Sequence, residues 1–507
     1  MGLERLAERS CEERLADIWE RSRSSWYRPQ LPKPIIGRSR TDFPFKNYRI
    51  TVGKDLIGRG DLYLENLFCH LIVHYIFCPR SLETAGSLAL AALSGLRKRD
   101  LVLAKRIVNI FSDIVVDTFR LERSAEDEAQ VLLGWRRLAE EDLAPLDRVV
   151  LGFLREHWGV DLPACDLGEV DMLLHTFSWG VREKSRWARQ CQQTARILEP
   201  FSPGILGRGS IRTSEILRGN ADSAPMAGLA SDAEPGEYRE ALSVLGQNGD
   251  LKRWYRDQSY TVLIEATRNV RDSWYPTGPL KWRFTDPPGE LDVPYSMSLS
   301  PLLLPGITTF KRDFESCETA AGKDRVPDLL LVIDSSRSMD GHRRMTKTHS
   351  ATLSAFKAAQ FAHQEGAMLA AINFSDKLAV QEWTRDLGAV EDVLVQYHGS
   401  RTHIPGELIL RLAEKRKGCL ILCITDTHIQ NLYSEWDYLK DASELSEFVL
   451  FCIDEANRNR QVESALRDLG RVYYINRLED LLTLVVETTE RAYDRRGDVA
   501  LGSDQEA

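Results

Sequence analysis

An apolar run, Leu329-Leu330-Leu331-Val332-Ile333, breaks off into Asp334-Ser335-Ser336-Arg337-Ser338. Five consecutive apolar residues read as a strand buried on both faces of a parallel sheet. The carboxyl ends of such strands are where open α/β sheets place their ligand crevice. There one carboxylate and two hydroxyls stand at alternating positions, Asp334-x-Ser336-x-Ser338. Three hard oxygen donors on one tight loop suit a hard divalent cation, Mg²⁺ or Mn²⁺. Two later loops extend the set: Gly399-Ser400-Arg401-Thr402 precedes a helix-like stretch, and the apolar run 421–425 ends in Asp426. Asp334 and the serines would also serve as a helix cap, but that reading leaves Thr402 and Asp426 without a role. The expected site is Asp334, Ser336, Ser338, Thr402 and Asp426. With few direct protein charges, a Mg²⁺ held there stays electrophilic and keeps one position open for an Asp or Glu of another protein.

A second candidate lies in the amino-terminal half. His70 and His74 stand one turn apart among Leu64, Leu67, Phe68, Leu71, Ile72 and Tyr75, whose spacing is helical. Two histidines at i and i+4 can grip one metal ion. Downstream, another apolar helical stretch carries Asp113 and Asp117.

The five oxygen donors match, residue by residue, the metal-ion-dependent adhesion site of von Willebrand factor A (VWA) domains. Asn373-Phe374-Ser375-Asp376 is also similar to that family's pattern. The resemblance covers 324–492 and implies a doubly wound sheet, Mg²⁺ at the site, and protein–protein recognition in place of hydrolysis. It departs from the family after the last aspartate, where glycine is common and Thr427 stands here.

HYIFCPRSLETA (74–85) and NIFSDIVVD (109–117) resemble the small gluzincin-like zinc peptidase domains found before VWA domains in prokaryotic proteins. That resemblance implies Zn²⁺ held by His70, His74 and Asp113, with Asp117 orienting a ligand histidine. Leu71 stands where these peptidases carry the glutamate that acts as general base, and loss of that base costs orders of magnitude in rate. The expectation is a pseudo-metallopeptidase kept for structure or binding; zinc-dependent proteolysis is the alternative. The segment before the last domain, including Gly306–Thr309, resembles that of VWA proteins linked to MoxR-type AAA+ ATPases. This implies an adaptor or scaffold in a chaperone-like remodelling system with an AAA+ partner. No GxxxxGK[ST] loop occurs in the chain, so ATP hydrolysis would come from that partner.

Composition narrows the partners. The chain has 507 residues and a net charge of −9, which argues against a nucleic-acid backbone as ligand. Residues 1–25 are studded with Glu, Arg and Asp, unlike a signal peptide, and no apolar run approaches a bilayer span. A cytoplasmic protein without a membrane partner is expected. Nine scattered cysteines, with no CxxC pair, read as reduced thiols.

The expected organisation is a mainly helical domain at 1–200, a flexible linker rich in Gly, Ser, Ala and Pro at 201–240, and a segment of short helices and strands at 241–323. That segment includes a strand-like run at 260–266. The α/β domain follows at 324–492, then a disordered tail at 493–507. Within the α/β domain, strands at 328–333, 367–374, 418–425, 447–453 and 472–475 alternate with helices near 344–365, 389–396, 404–416, 461–468 and 478–492. Such alternation predicts a doubly wound, mostly parallel sheet.

Overall fold

A computed structural model of the chain describes residues 2–37, 50–123, 128–139, 145–162, 169–178, 180–202, 226–261, 274–283, 286, 291–316, 327–453, 467–475 and 477–494. The first part is helical: α1 (Gly2–Ser25), α2 (Lys54–Ile57), α3 (Asp61–Ile76), α4 (Leu82–Gly95), α5 (Leu101–Arg123), α6 (Glu128–Ala139), α7 (Pro145–Trp158), α8 (Glu169–Phe177) and α9 (Trp187–Leu198). Two three-residue strands, β1 (Ile35–Gly37) and β2 (Thr51–Gly53), pair in parallel beside them. Helix α5 is buried almost continuously from Leu103 to Thr118 and forms the axis of the bundle, with α3, α4, α6 and α9 against it. Local chemistry sets the helix starts. Ser81 accepts from the Thr84 N–H to open α4, and Asp100 accepts from the Val102 and Leu103 N–H groups to open α5.

Of the linker expected over 201–240, residues 203–225 lie outside the described residues. The remainder holds two helices, α10 (Ala227–Asp232) and α11 (Pro235–Val244). Pro235 sits at the first helical position, where its missing N–H costs nothing, and Glu234 and Glu237 form a capping box across it. Met226, Leu229, Tyr238 and Leu242 are buried there, with α10 and α11 packed on α4. Helix α12 (Leu251–Ser259) follows, capped by Asp250. The strand expected at 260–266 begins as a turn at 260–261, and 262–266 lie outside the described residues. Antiparallel strands β3 (Trp274–Lys281) and β4 (Phe310–Ser316) then flank the short helix α13 (Val293–Leu299).

The carboxyl-terminal part runs β5 (Leu329–Asp334), α14 (Lys347–Gln364), β6 (Leu369–Phe374), β7 (Leu378–Thr384), α15 (Leu387–Leu394), α16 (Gly406–Lys415), β8 (Leu420–Thr425), α17 (Leu432–Leu445), β9 (Glu447–Ile453), β10 (Arg471–Ile475) and α18 (Leu478–Asp494). The sheet order is β10-β9-β8-β5-β6-β7, parallel throughout except for the edge strand β7. This is the mostly parallel α/β architecture the alternation predicts. Strand β7 and helix α17 were not foreseen. The helix expected at 461–468 falls outside the described residues up to 466, as does the tail beyond 494.

The pleat divides the core. Leu329, Leu331 and Ile333 face one side with α14 and α18, and Leu330 and Val332 face the other with α16 and α17. The first of these cores is continuous with the helical bundle through α12. Strands β5 and β8 are neighbours whose chains leave in opposite directions across the sheet, so the crevice of the fold opens between their carboxyl ends.

Candidate metal centres

That crevice is where the acidic loops meet. Asp334 ends β5 with no exposed surface, and Asp426 follows β8 at 1% exposure. Asp334 Oδ1 accepts from the Ser336 N–H at 2.8 Å, and Oδ2 accepts from the Thr425 hydroxyl at 2.8 Å. The Ser336 and Ser338 hydroxyls lie 3.1 Å apart. The loop carrying Thr402 is stitched to both aspartate loops. Arg337 N–H donates to Ser400 O at 3.0 Å, and Gln430 N–H donates to Thr402 O at 3.0 Å. Asn431 clamps the same loop, accepting from the Ile404 N–H at 2.8 Å and donating to Ile404 O at 2.9 Å. Thr402 is 4% exposed. The structure thus brings the three loops bearing all five expected oxygen donors to one end of the sheet.

Two features test whether a cation suits this place. Burial, and then the Asp426 charge, push the Asp334 carboxyl up to about 6: two nearly solvent-free carboxylates oppose each other. Asp426 Oδ2 is also buried without a hydrogen-bond partner among the described residues, and the Lys347 ammonium approaches it only to 3.7 Å. An under-satisfied buried carboxylate oxygen costs several kcal/mol by order of magnitude, and a divalent cation relieves both conditions. The residues fit Mg²⁺.

Thr427, where the resembled family commonly has glycine, adopts φ +68°, a left-handed conformation that a β-branched residue rarely takes. The loop keeps the backbone geometry for which glycine is suited. Thr425, Lys347 and Asn431 were missed by sequence reasoning: Thr425 reads as the end of an apolar run, and Lys347 and Asn431 reach the site from other elements.

The second cluster sits between α3 and α5. His70 Nε2 and His74 Nε2 are 3.0 Å apart, and Asp113 Oδ1 lies 3.1 Å from His74 Nε2 and 3.4 Å from His70 Nε2. The outer nitrogens are both held. His74 Nδ1–H donates to Cys78 O at 2.7 Å, since a carbonyl can only accept. His70 Nδ1 lies 2.9 Å from Asp117 Oδ1, and Asp117 also accepts from Arg120 Nη1 at 3.0 Å and Trp135 Nε1 at 2.9 Å. Both Nε2 lone pairs therefore point toward Asp113 Oδ1, where a shared cation or proton is needed between them, while His70 Nδ1 against Asp117 is the arrangement in which a carboxylate orients a ligand histidine. Metal arms of roughly 2.0–2.1 Å at tetrahedral angles separate their ligand atoms by roughly 3.3 Å, close to the separations found. The residues fit Zn²⁺, with a fourth position left over.

Without a metal, a proton takes the same place. Burial lowers the His70 imidazole, but Asp117 and Asp113 override it and raise it to about 9. Burial and then the neighbouring His70 lower His74. Burial works to raise Asp117, yet His70 and Arg120 hold it well below the usual carboxylate range. Sequence reasoning missed Arg120, Trp135 and the Cys78 carbonyl. Leu71 is 2% exposed and apolar. Among the described residues the only carboxylates hydrogen-bonded to the two histidines are Asp113 and Asp117. Cys11, Cys69, Cys78, Cys191, Cys419, Cys423 and Cys452 form no disulfide among the described residues, and Cys165 and Cys317 lie outside them.

No family model matches the chain, and no curated protein matches it. Solved structures similar to it include a von Willebrand factor type A protein from Catenulispora acidiphila (15% identity, 33% of this chain and 42% of that one, TM-score 0.28). They also include BatB, a conserved hypothetical protein from Bacteroides thetaiotaomicron (14%, 33% of this chain and 99% of that one, TM-score 0.26). A third is the vWF domain of the type V pili tip protein Mfa5 from Porphyromonas gingivalis (10%, 33% and 96%, TM-score 0.27). The chain spans less than half the length of the first of these. Among the described residues no helix is long and apolar enough to cross a membrane.

Proposed function

We propose that residues 324–492 form a VWA domain in which Asp334, Ser336, Ser338, Thr402 and Asp426 hold Mg²⁺ and capture an acidic side chain of a partner protein. The observation that carries this reading is the pair of buried carboxylates at the sheet's switch point, one of them with an oxygen that has no hydrogen-bond partner among the described residues. Bound there, Mg²⁺ supplies a hard centre with an exchangeable position for a carboxylate oxygen. The chain's own residues do the rest. Thr425 and the Ser336 N–H fix the plane of Asp334, and the Asn431 clamp holds the Thr402 loop against it.

The helical part then serves as scaffold, and an AAA+ ATPase of the MoxR type is the proposed partner in a cytoplasmic remodelling system. The test is affinity capture from a cell extract by wild type and Asp334→Ala, each with Mg²⁺ and with EDTA. Partners retained only by wild type in Mg²⁺ support the reading; identical sets under all four conditions refute it.

A second reading has its own observation, the convergence of two Nε2 lone pairs on Asp113. It assigns Zn²⁺ to His70, His74 and Asp113. With Leu71 at the base position, the site holds metal without activating water, and the helical domain is a pseudo-peptidase. Casein cleavage that disappears in His70→Ala would overturn this in favour of a zinc peptidase.

A further inference from the structure

Residues 293–310 carry no charged side chain, in a chain that is 28% charged. The arm built from β3, α13 and β4 also concentrates exposed apolar surface. Nine large apolar residues between 280 and 307 are 37–66% exposed, Met297, Leu299, Leu302 and Ile307 most of all. Half of such a residue's surface is roughly 100 Å², so the nine together present roughly 900 Å². The largest apolar patch on an ordinary monomer is about 300–600 Å², and each partner gives roughly 800 Å² to a standard interface.

This surface is ordered by its own backbone bonds. Trp282 N–H donates to Thr309 O at 3.0 Å, and Gly306 N–H donates to Trp282 O at 2.7 Å. The Thr309 hydroxyl donates to Trp282 O at 2.9 Å, and the Leu304 N–H donates to the Thr308 hydroxyl at 2.7 Å. With those backbone groups satisfied inside the loop, its aliphatic side chains are left pointing outward. The three elements pack chiefly on one another, and among the described residues none of their side chains enters either hydrophobic core. A two-stranded ribbon is marginal in water without a further strand or an apolar cover.

We infer that a second copy of this chain supplies that cover, the two arms meeting face to face in a symmetric dimer. Two copies with a net charge of −9 repel each other over most of their surface, and the uncharged face is where that repulsion is least. Apolar composition and missing charge are what distinguish the contact surfaces of homodimers. A two-fold pairing uses the same patch twice and closes without leaving a free apolar face. Because the loops are already ordered, little conformational entropy is lost on contact. The contact involves neither candidate metal centre.

Sedimentation velocity of the full chain over a range of concentrations tests it. A discrete dimer of twice 57.6 kDa is expected, with a dissociation constant of about 10 μM or tighter and no change in EDTA. Leu302→Asp with Ile307→Asp sets charge against charge in both copies and should weaken the dimer about a hundredfold or more, with the circular dichroism of wild type. Should the aspartates unfold the chain, Leu302→Ser with Ile307→Ser truncates the same contact without charge and should weaken it about tenfold. Leu62→Asp, on α3 and 48% exposed, should leave the dimer intact. A wild type that stays monomeric at about 100 μM, a dimer lost in EDTA, or a dimer that survives both double substitutions overturns the inference. A monomer that floats with phosphatidylcholine vesicles overturns it too, in favour of a lipid surface.

Discussion

Asp117→Asn in the helical centre is a near-isosteric change with two separable consequences. Asp117 Oδ1 accepts from His70 Nδ1 at 2.9 Å and Arg120 Nη1 at 3.0 Å, and Oδ2 accepts from Trp135 Nε1 at 2.9 Å. The amide removes the negative charge, so His70 loses the ionic acceptor that fixes its tautomer and makes Nε2 a strong donor. Removing such an orienting carboxylate weakens metal binding 10–100-fold, about 1.4–2.7 kcal/mol. The second consequence concerns folding. Arg120 is completely buried, and breaking a buried pair by neutralising one partner costs about 3–5 kcal/mol. Trp135 N–H would also meet an NH₂ group in one amide orientation. Thermal unfolding of metal-free protein should therefore show a lower midpoint for the variant. Zinc titration against a competing chelator should show the affinity loss, and the stabilisation by excess zinc should shrink by the same 1.4–2.7 kcal/mol. Wild-type zinc affinity in Asp117→Asn, even with a lowered midpoint, would refute the orienting role and leave Asp117 as a counter-ion for Arg120 alone.

Three further outcomes follow from the same geometry. Asp334 is raised from 3.8 to about 6 by burial and by Asp426, so proton and cation compete for it. Mg²⁺ affinity measured by calorimetry should fall about tenfold per pH unit below 6, whereas metal-free stability should fall as pH rises from about 4 through 6, because the fold favours the protonated form; a flat affinity between pH 7 and 5 would contradict this. Thr427→Gly relieves a left-handed β-branched residue and should raise the thermal midpoint of metal-free protein by an amount equivalent to about 1 kcal/mol or less; a lowered midpoint would mean that the Thr427 side chain holds the loop. Arg256 pairs with Glu391, which has no exposed surface, so Arg256→Ala should destabilise by about 3 kcal/mol in urea unfolding, and Glu391→Gln added to it should recover part of that loss.

What was legible in the sequence is what local spacing encodes. Asp334, Ser336 and Ser338 lie on one strand end, and a five-residue apolar run announces that end before any fold is known. His70 and His74, like Asp113 and Asp117, are paired by helical periodicity, and the structure adds that the two pairs face each other across α3 and α5. The partners that tune both centres come from elsewhere in the chain. Thr425 reaches Asp334 across ninety-one residues, Trp135 reaches Asp117 from the next helix, and Lys347 comes within 3.7 Å of Asp426 from the first turn of α14. Pattern reading was weakest where composition spoke against order. Pro235-Gly236 reads as a breaker, yet with Glu234 before it the same pair opens a capped helix. Strand β7 escaped because its exposure pattern, with Leu378 and Val380 open to solvent, lacks the apolar run of the central strands.

The two candidate centres are joined through the same stretch of chain that leaves the loop after β5. Just past that loop, His342 Nε2–H donates to Val395 O at 2.8 Å, so its Nδ1 is left to accept the Tyr255 hydroxyl of α12 at 2.8 Å. Burial holds His342 down to about 4, and the neutral ring this bond pair requires is the stable form at ordinary pH. Lys252–Asp392 and Arg256–Glu391 fix α12 to α15 alongside, while Trp254 and Tyr255 pack on His349 of α14. A joint with buried aromatics, a buried carboxylate and a histidine bonded at both nitrogens has few soft degrees of freedom. The loop after β5 is therefore held at a fixed orientation to the helical bundle, which is the geometric constraint that the proposed adaptor role requires.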